Sequence, residues 1–144
     1  MKKYVQWFAA IAVAGALAGC ARTAPVEQIQ TAVSAGHTED QVKQAIMRAG
    51  VQRQWIMSQT APGAIAARQQ ARDHVVEVRI NYSASGYSIH YVSSSNMMAS
   101  GGKIHKNYNR WVHNLDKDIH TKLYTLLESI HERDRDQIDS DKDS

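Results

Sequence analysis

The residues of this chain best placed to do chemistry lie in one short run, Lys103-Ile104-His105-Lys106-Asn107-Tyr108-Asn109-Arg110. Lys103, Lys106 and Arg110 put three cations at the start of an apolar-periodic stretch, where the aligned peptide dipoles of a helix favour acids. Free amides at a helix start bind phosphate or carboxylate groups, and Ser93 to Ser95 with Gly101-Gly102 could add donors. Lys103, His105, Lys106, Asn107 and Arg110 therefore form a candidate site for an anion or an acidic partner surface. The plainer reading makes Asn107 an N-cap, packs Tyr108 and Trp111 inward and leaves the charges in water. Two other spacings carry less. Ser100 and Lys103 stand as Ser-x-x-Lys, a spacing in which lysine activates a serine nucleophile, but two glycines between them read as a hinge and no companion motif follows. His113, Asp116 and His120, at i, i+3 and i+7, could approach a metal from one side of a helix. They also flank an apolar stripe, where solvated polar side chains belong, so no metal site is assigned. No catalytic constellation and no cofactor is expected.

The elements that must position these residues are legible in the periodicity. Thr38 and Gln41 make a capping box, Glu39 and Asp40 put acid into a first turn, and Val42, Ala45, Ile46 and Ala49 share a face. This predicts a helix from about Glu39 to Ala49, with Gly50 as its left-handed C-cap. The period then becomes two. Gln54 to Thr60 and Ile65 to Gln70 flank Ala61-Pro62-Gly63-Ala64, a type II turn sequence. His74 to Ser83 alternates Val76, Val78, Ile80 and Tyr82 against polar neighbours, and Ala84-Ser85-Gly86 turns the chain into Tyr87 to Ser93. Ser94 to Lys103 reads as a polar, flexible loop. A long helix follows to about His131, striped by Tyr108, Trp111, Val112, Leu115, Ile119, Leu123, Leu126, Leu127 and Ile130. The expected fold is α+β in two layers, an antiparallel meander of three or four strands packed against an N-terminal and a long C-terminal helix.

The ends of the chain differ in kind. Lys2 and Lys3, the apolar run Val5 to Leu17 and the small pair Ala18-Gly19 have the architecture of a secretory signal, too short and too alanine-rich to span a bilayer. Leu17-Ala18-Gly19-Cys20 after such a run resembles the lipobox of bacterial lipoproteins. The resemblance implies cleavage before Cys20, acylation of that residue and attachment to membrane lipid. Ala21 lacks the acidic signal that favours inner-membrane retention in enteric-type bacteria, so the resemblance implies the periplasmic face of the outer membrane. A multiply acylated cysteine anchors lastingly where one chain binds reversibly. Of 144 residues the leader takes 19, leaving 125, enough for one domain with a core of its own. Cys20 is the sole cysteine, so no disulfide assists.

The expected organisation is therefore a signal peptide at 1–19, a lipidated tether at 20–37 whose stretch from Ala21 to Val33 leads into a short extended segment readable as an edge strand, an α+β domain at 38–131 and a charged, disordered tail at 132–144. Within that tail six acids stand against three bases. Without Lys2 and Lys3 the chain has 15 basic against 14 acidic side chains, so no strong basic excess supports a nucleic-acid partner, and the compartment implied by the lipobox does not suit one. Ile104, His105, Asn107, Tyr108, Asn109 and Trp111, following the strand pattern, are similar to an Ile-His-x-Asn-Tyr-Asn-x-Trp motif of small proteobacterial lipoproteins. That resemblance implies the domain outline over roughly 38–119 and brings no activity with it. The functional expectation is a non-enzymatic, lipid-anchored lipoprotein that binds an envelope protein or peptidoglycan, the alternative being a small anion- or metal-binding module.

Overall fold

The computed structural model describes residues 22–142; the expected signal segment at 1–19 and Cys20, the expected site of lipidation, lie outside them. The fold is α+β. Strands β1 (Thr23–Pro25) and β2 (Ile29–Ala32) precede helix α1 (Glu39–Gln52). Then come β3 (Ile56–Ala61), β4 (Ala64–Ala71), β5 (His74–Ser83), β6 (Gly86–Ser95), β7 (Lys103–His105) and helix α2 (Asn107–Lys142). One antiparallel sheet has the order β2-β6-β5-β4-β3, and β1 pairs with β7 in a separate two-stranded sheet.

The β3 to β6 meander forms where alternation and turn chemistry agree. Gly63, with φ 76, accepts the positive angle that the β3–β4 turn requires after Pro62. Val76, Val78, Ile80 and Tyr82 of β5 point to the buried face, as do Tyr87 and Ile89 of β6 and Ile65 and Ala67 of β4. Their alternate neighbours stay wet, because the helices cover one face only. At Glu77 and Val78 the β5–β6 register slips, and Val92 falls out of the pairing and is half exposed.

Helix α1 begins as its sequence requires. Thr38 Oγ1 accepts from the Gln41 amide at 3.1 Å, while Gln41 Oε1 accepts from the Thr38 amide at 2.9 Å. Its end departs from expectation. Gly50 lies inside the helix rather than capping it, and the left-handed residue is Gln54, with φ 64. The glycine is needed for another reason: a Cβ there would collide with the Met57 side chain of β3. Helix and hairpin approach too closely for a side chain.

Three further findings concern the segments expected to be a tether with a short extended part, a flexible loop and a disordered tail. Where a tether running into one short extended segment is expected, two strands form, Thr23–Pro25 and Ile29–Ala32, and the second, β2, is the edge strand of the sheet beside β6. The loop after β6 is pinned, since Met97 is buried in the core and its carbonyl accepts from the His105 amide at 2.7 Å. Beyond His131, α2 continues as helix to Lys142, with residues 131–142 exposed throughout. At about 1.5 Å per residue this makes α2 a rod of roughly 54 Å, longer than the ten-residue strands it crosses.

Val42, Ala45, Ile46 and Ala49 of α1 and Tyr108, Val112, Leu115, Ile119 and Leu123 of α2 close the core over the sheet. The loop between β2 and α1 is held onto α2 by His37, itself buried. The His37 ring meets the Ser34 carbonyl through Nδ1 at 2.9 Å and the Leu123 carbonyl through Nε2 at 2.8 Å.

Candidate functional site

The start of α2 is built from its own motif and from β1. Asn107 is the first helical residue rather than the N-cap, and its amide donates to His105 Nδ1 at 3.1 Å. The Arg110 amide reaches the Lys106 carbonyl at 3.4 Å, so Lys106 occupies the capping position. Asn109 is buried and two-handed. Its Nδ2 donates to the Pro25 carbonyl at 2.9 Å and its Oδ1 accepts from the Glu27 amide at 3.2 Å. Tyr108 is fully buried and meets Tyr91 edge-on, with ring centroids 5.6 Å apart. Ile104 is buried, and Trp111 packs against the core half-exposed. The Ile-His-x-Asn-Tyr-Asn-x-Trp run therefore knots β1, β7 and α2 together.

The charged members of the candidate site stand outside this knot. Lys103, Lys106 and Arg110 are exposed, and Arg22 joins them because the Lys106 amide donates to the Arg22 carbonyl at 3.2 Å. His105 and Asn107 are half-buried beneath them. The structure brings these five expected residues to one end of the molecule. It also uses one of the helix-start amides internally, which removes part of the anion cradle anticipated from sequence.

Ser100 and Lys103 exchange both backbone hydrogen bonds at 3.0 Å across Gly101 and Gly102, whose φ values of 58 and 76 suit a two-residue hairpin turn. The Ser-x-x-Lys spacing is accounted for by that turn. His113, Asp116 and His120 are not brought together. His113 pairs with Glu27. The Asp116 carboxylate accepts from Tyr87 at 2.5 Å and from Thr31 Oγ1 at 2.7 Å, a contact not apparent from sequence. Burial, and then the Asp116 hydrogen bond, push the Tyr87 phenol well above its ordinary range. Among the described residues no three His, Cys, Asp or Glu side chains are grouped to hold a metal.

Two open grooves lie away from the basic end. One, of about 550 Å³, is lined by Gln30, Asn81, Ser83, Ser85 and Ser88 at the Gly86 end of β6. The other, of about 400 Å³, runs between the helices past Gln44, Arg48, Lys122 and Leu126. Amides and hydroxyls stand among the lining of the first, and the floor of the second, between the helices, is mainly apolar. No protein-family model matches the chain, and no curated protein matches it at a significant level.

Proposed function

We propose that this chain is a lipid-anchored lipoprotein at the periplasmic face of the outer membrane, held through Cys20, whose α+β domain binds another component of the cell envelope without catalysing a reaction. The observation that carries the reading is Leu17-Ala18-Gly19-Cys20 standing directly after a charged start and an apolar run. The entry of the chain into the fold supports it, since β1 begins three residues past Cys20 and the first described residue, Arg22, meets the start of α2 through its backbone carbonyl alone. An acylated Cys20 would leave the domain intact. The groove at Gln30, Asn81 and Ser88 offers the partner surface, because its hydroxyls and amides can hydrogen-bond a polar chain such as an envelope protein or a peptidoglycan strand.

Mass spectrometry of the protein purified from membranes tests the anchor. The expected product begins at an acylated Cys20, and Cys20→Ala should release the chain from the outer-membrane fraction. Recovery of an unmodified Cys20 still joined to Gly19 would refute it. Crosslinking in intact cells from a photoreactive residue in place of Asn81 tests the binding. One enriched envelope component is expected, and labelling no different from that at an exposed position of α2 would remove the partner role.

A further inference from the structure

We infer that the exposed cations at the β1–β7 end, Arg22, Lys103, Lys106 and Arg110, form a docking face for the anionic headgroups of the membrane that holds Cys20. The inference rests on the lipoprotein reading and adds an orientation to it. Its first support is chain length. Only Ala21 and Arg22 separate Cys20 from Thr23, and three residues reach about 10 Å at full extension. Thr23 pairs with His105 and Pro25 with Lys103, so a chain anchored at Cys20 holds this end of the domain within one short reach of the headgroups. The opposite end of β6 lies roughly 30 Å away.

The second support is charge. The four cations are exposed, and among the described residues none of them forms a salt bridge with an acid. Glu27 pairs with His113, and Asp73 accepts from Asn96 Nδ2 at 2.6 Å. Folding does not require this arrangement, because α2 has no acid in its first turn and cations there oppose its dipole. An anionic membrane supplies the missing countercharge, and each Lys or Arg brought to such a surface strengthens attachment about fivefold. The helix amides are not the binding element, since the Asn107 amide is already used by His105.

The third support is an apolar tip beside the cations. Met98 is 48% exposed with φ 52, on the loop whose other methionine, Met97, is buried at 1%. A flexible thioether among lysines suits the headgroup boundary, where apolar groups enter and cations stay at the surface.

The test uses the mature lipidated chain in vesicles, with Cys20 acylation checked by mass spectrometry. Met98→Cys and, at the far end, Thr60→Cys each carry an environment-sensitive fluorophore. In vesicles containing phosphatidylglycerol the label at 98 should shift to the blue and become shielded from an aqueous quencher, while the label at 60 should not. Phosphatidylcholine alone, high salt, or the combined Arg22→Gln, Lys103→Gln, Lys106→Gln and Arg110→Gln variant should each reverse the shift. Salt reversal needs no substitution, so it decides the matter even if the variant misfolds. A label at 98 that is equally wet in both vesicles overturns the docking face while leaving the anchor standing. An unmodified Cys20 overturns both, and shielding at 98 only by added peptidoglycan assigns the face to that polymer instead.

Discussion

Tyr108 is completely buried, yet its hydroxyl has no hydrogen-bond partner among the described residues. Burying a hydroxyl unpaired costs about 1–3 kcal/mol, whereas the ring's contact with Tyr91 survives in phenylalanine. Tyr108→Phe should therefore keep the unfolding midpoint at neutral pH or raise it. The same residue bears on alkaline stability. Burial pushes the Tyr108 phenol above its ordinary range, and Tyr87 is raised by burial together with its bond to Asp116. A raised tyrosine keeps its proton in the native state while the unfolded chain releases it near pH ~10. Stability from both phenols is thus complete below about pH 10 and drains away as pH climbs toward the folded values. Denaturant midpoints measured across that range should fall for the natural chain and fall less steeply for Tyr108→Phe. An unchanged slope would show that the phenol titrates alike in both states.

Elements meet here at two places where sequence reading succeeded in one and failed in the other. The capping box at Thr38 and Gln41 was legible because it is local, both partners lying within one turn. The role of Gly50 was not, because Met57 reaches it from another element and no periodicity reports such a contact. For the same reason only one short extended segment was legible where β1 and β2 both lie: three- and four-residue strands leave little alternation to count, and their partners lie some 60–80 residues away. Two opposed terms decide the outcome of Gly50→Ala. Helix propensity favours alanine by about 1 kcal/mol, and forcing the Met57 side chain aside costs about 1–3 kcal/mol. The single variant should lose stability, and the same substitution in a Met57→Ala background should gain it. Stability equal in sign in both backgrounds would deny the contact. The far end of α2 gives a contrasting case. Residues 132–142 are exposed, so ending the chain after His131 should move unfolding by no more than about 0.5 kcal/mol. Leu123→Ala, inside the core, should cost about 2–5 kcal/mol. A large loss on truncation would mean that the extension contributes packing to the domain.

Across the whole molecule the charge that runs against its backbone lies at the start of α2, where a helix resists cations. Cations gather at its start, with Lys106 at the capping position and Arg110 in the first turn, whereas its last turn mixes Asp139 and Asp141 with Lys142. The start opposes the macrodipole, each cation there at a cost of about 0.3–1 kcal/mol. The candidate site was legible from this opposition, since charge is read directly from residues 103, 106 and 110. What could not be read was Arg22, because only the fold of β1 against β7 brings it to the same end. Selection for stability alone would replace Lys106, and that yields a decisive variant. Aspartate at a capping position is worth about 0.5–2 kcal/mol over a residue that cannot cap, and it also suits the dipole. Lys106→Asp should therefore raise the denaturant midpoint while weakening the shift of a fluorophore at residue 98 on anionic vesicles. Opposite movement of stability and docking in one substitution is the outcome expected of a charge kept for an external surface. If Lys106→Asp stabilised the fold and left docking intact, the cation would be an incidental feature of the helix start. If it destabilised the fold, Lys106 would have a structural role within α2 that its exposure does not suggest.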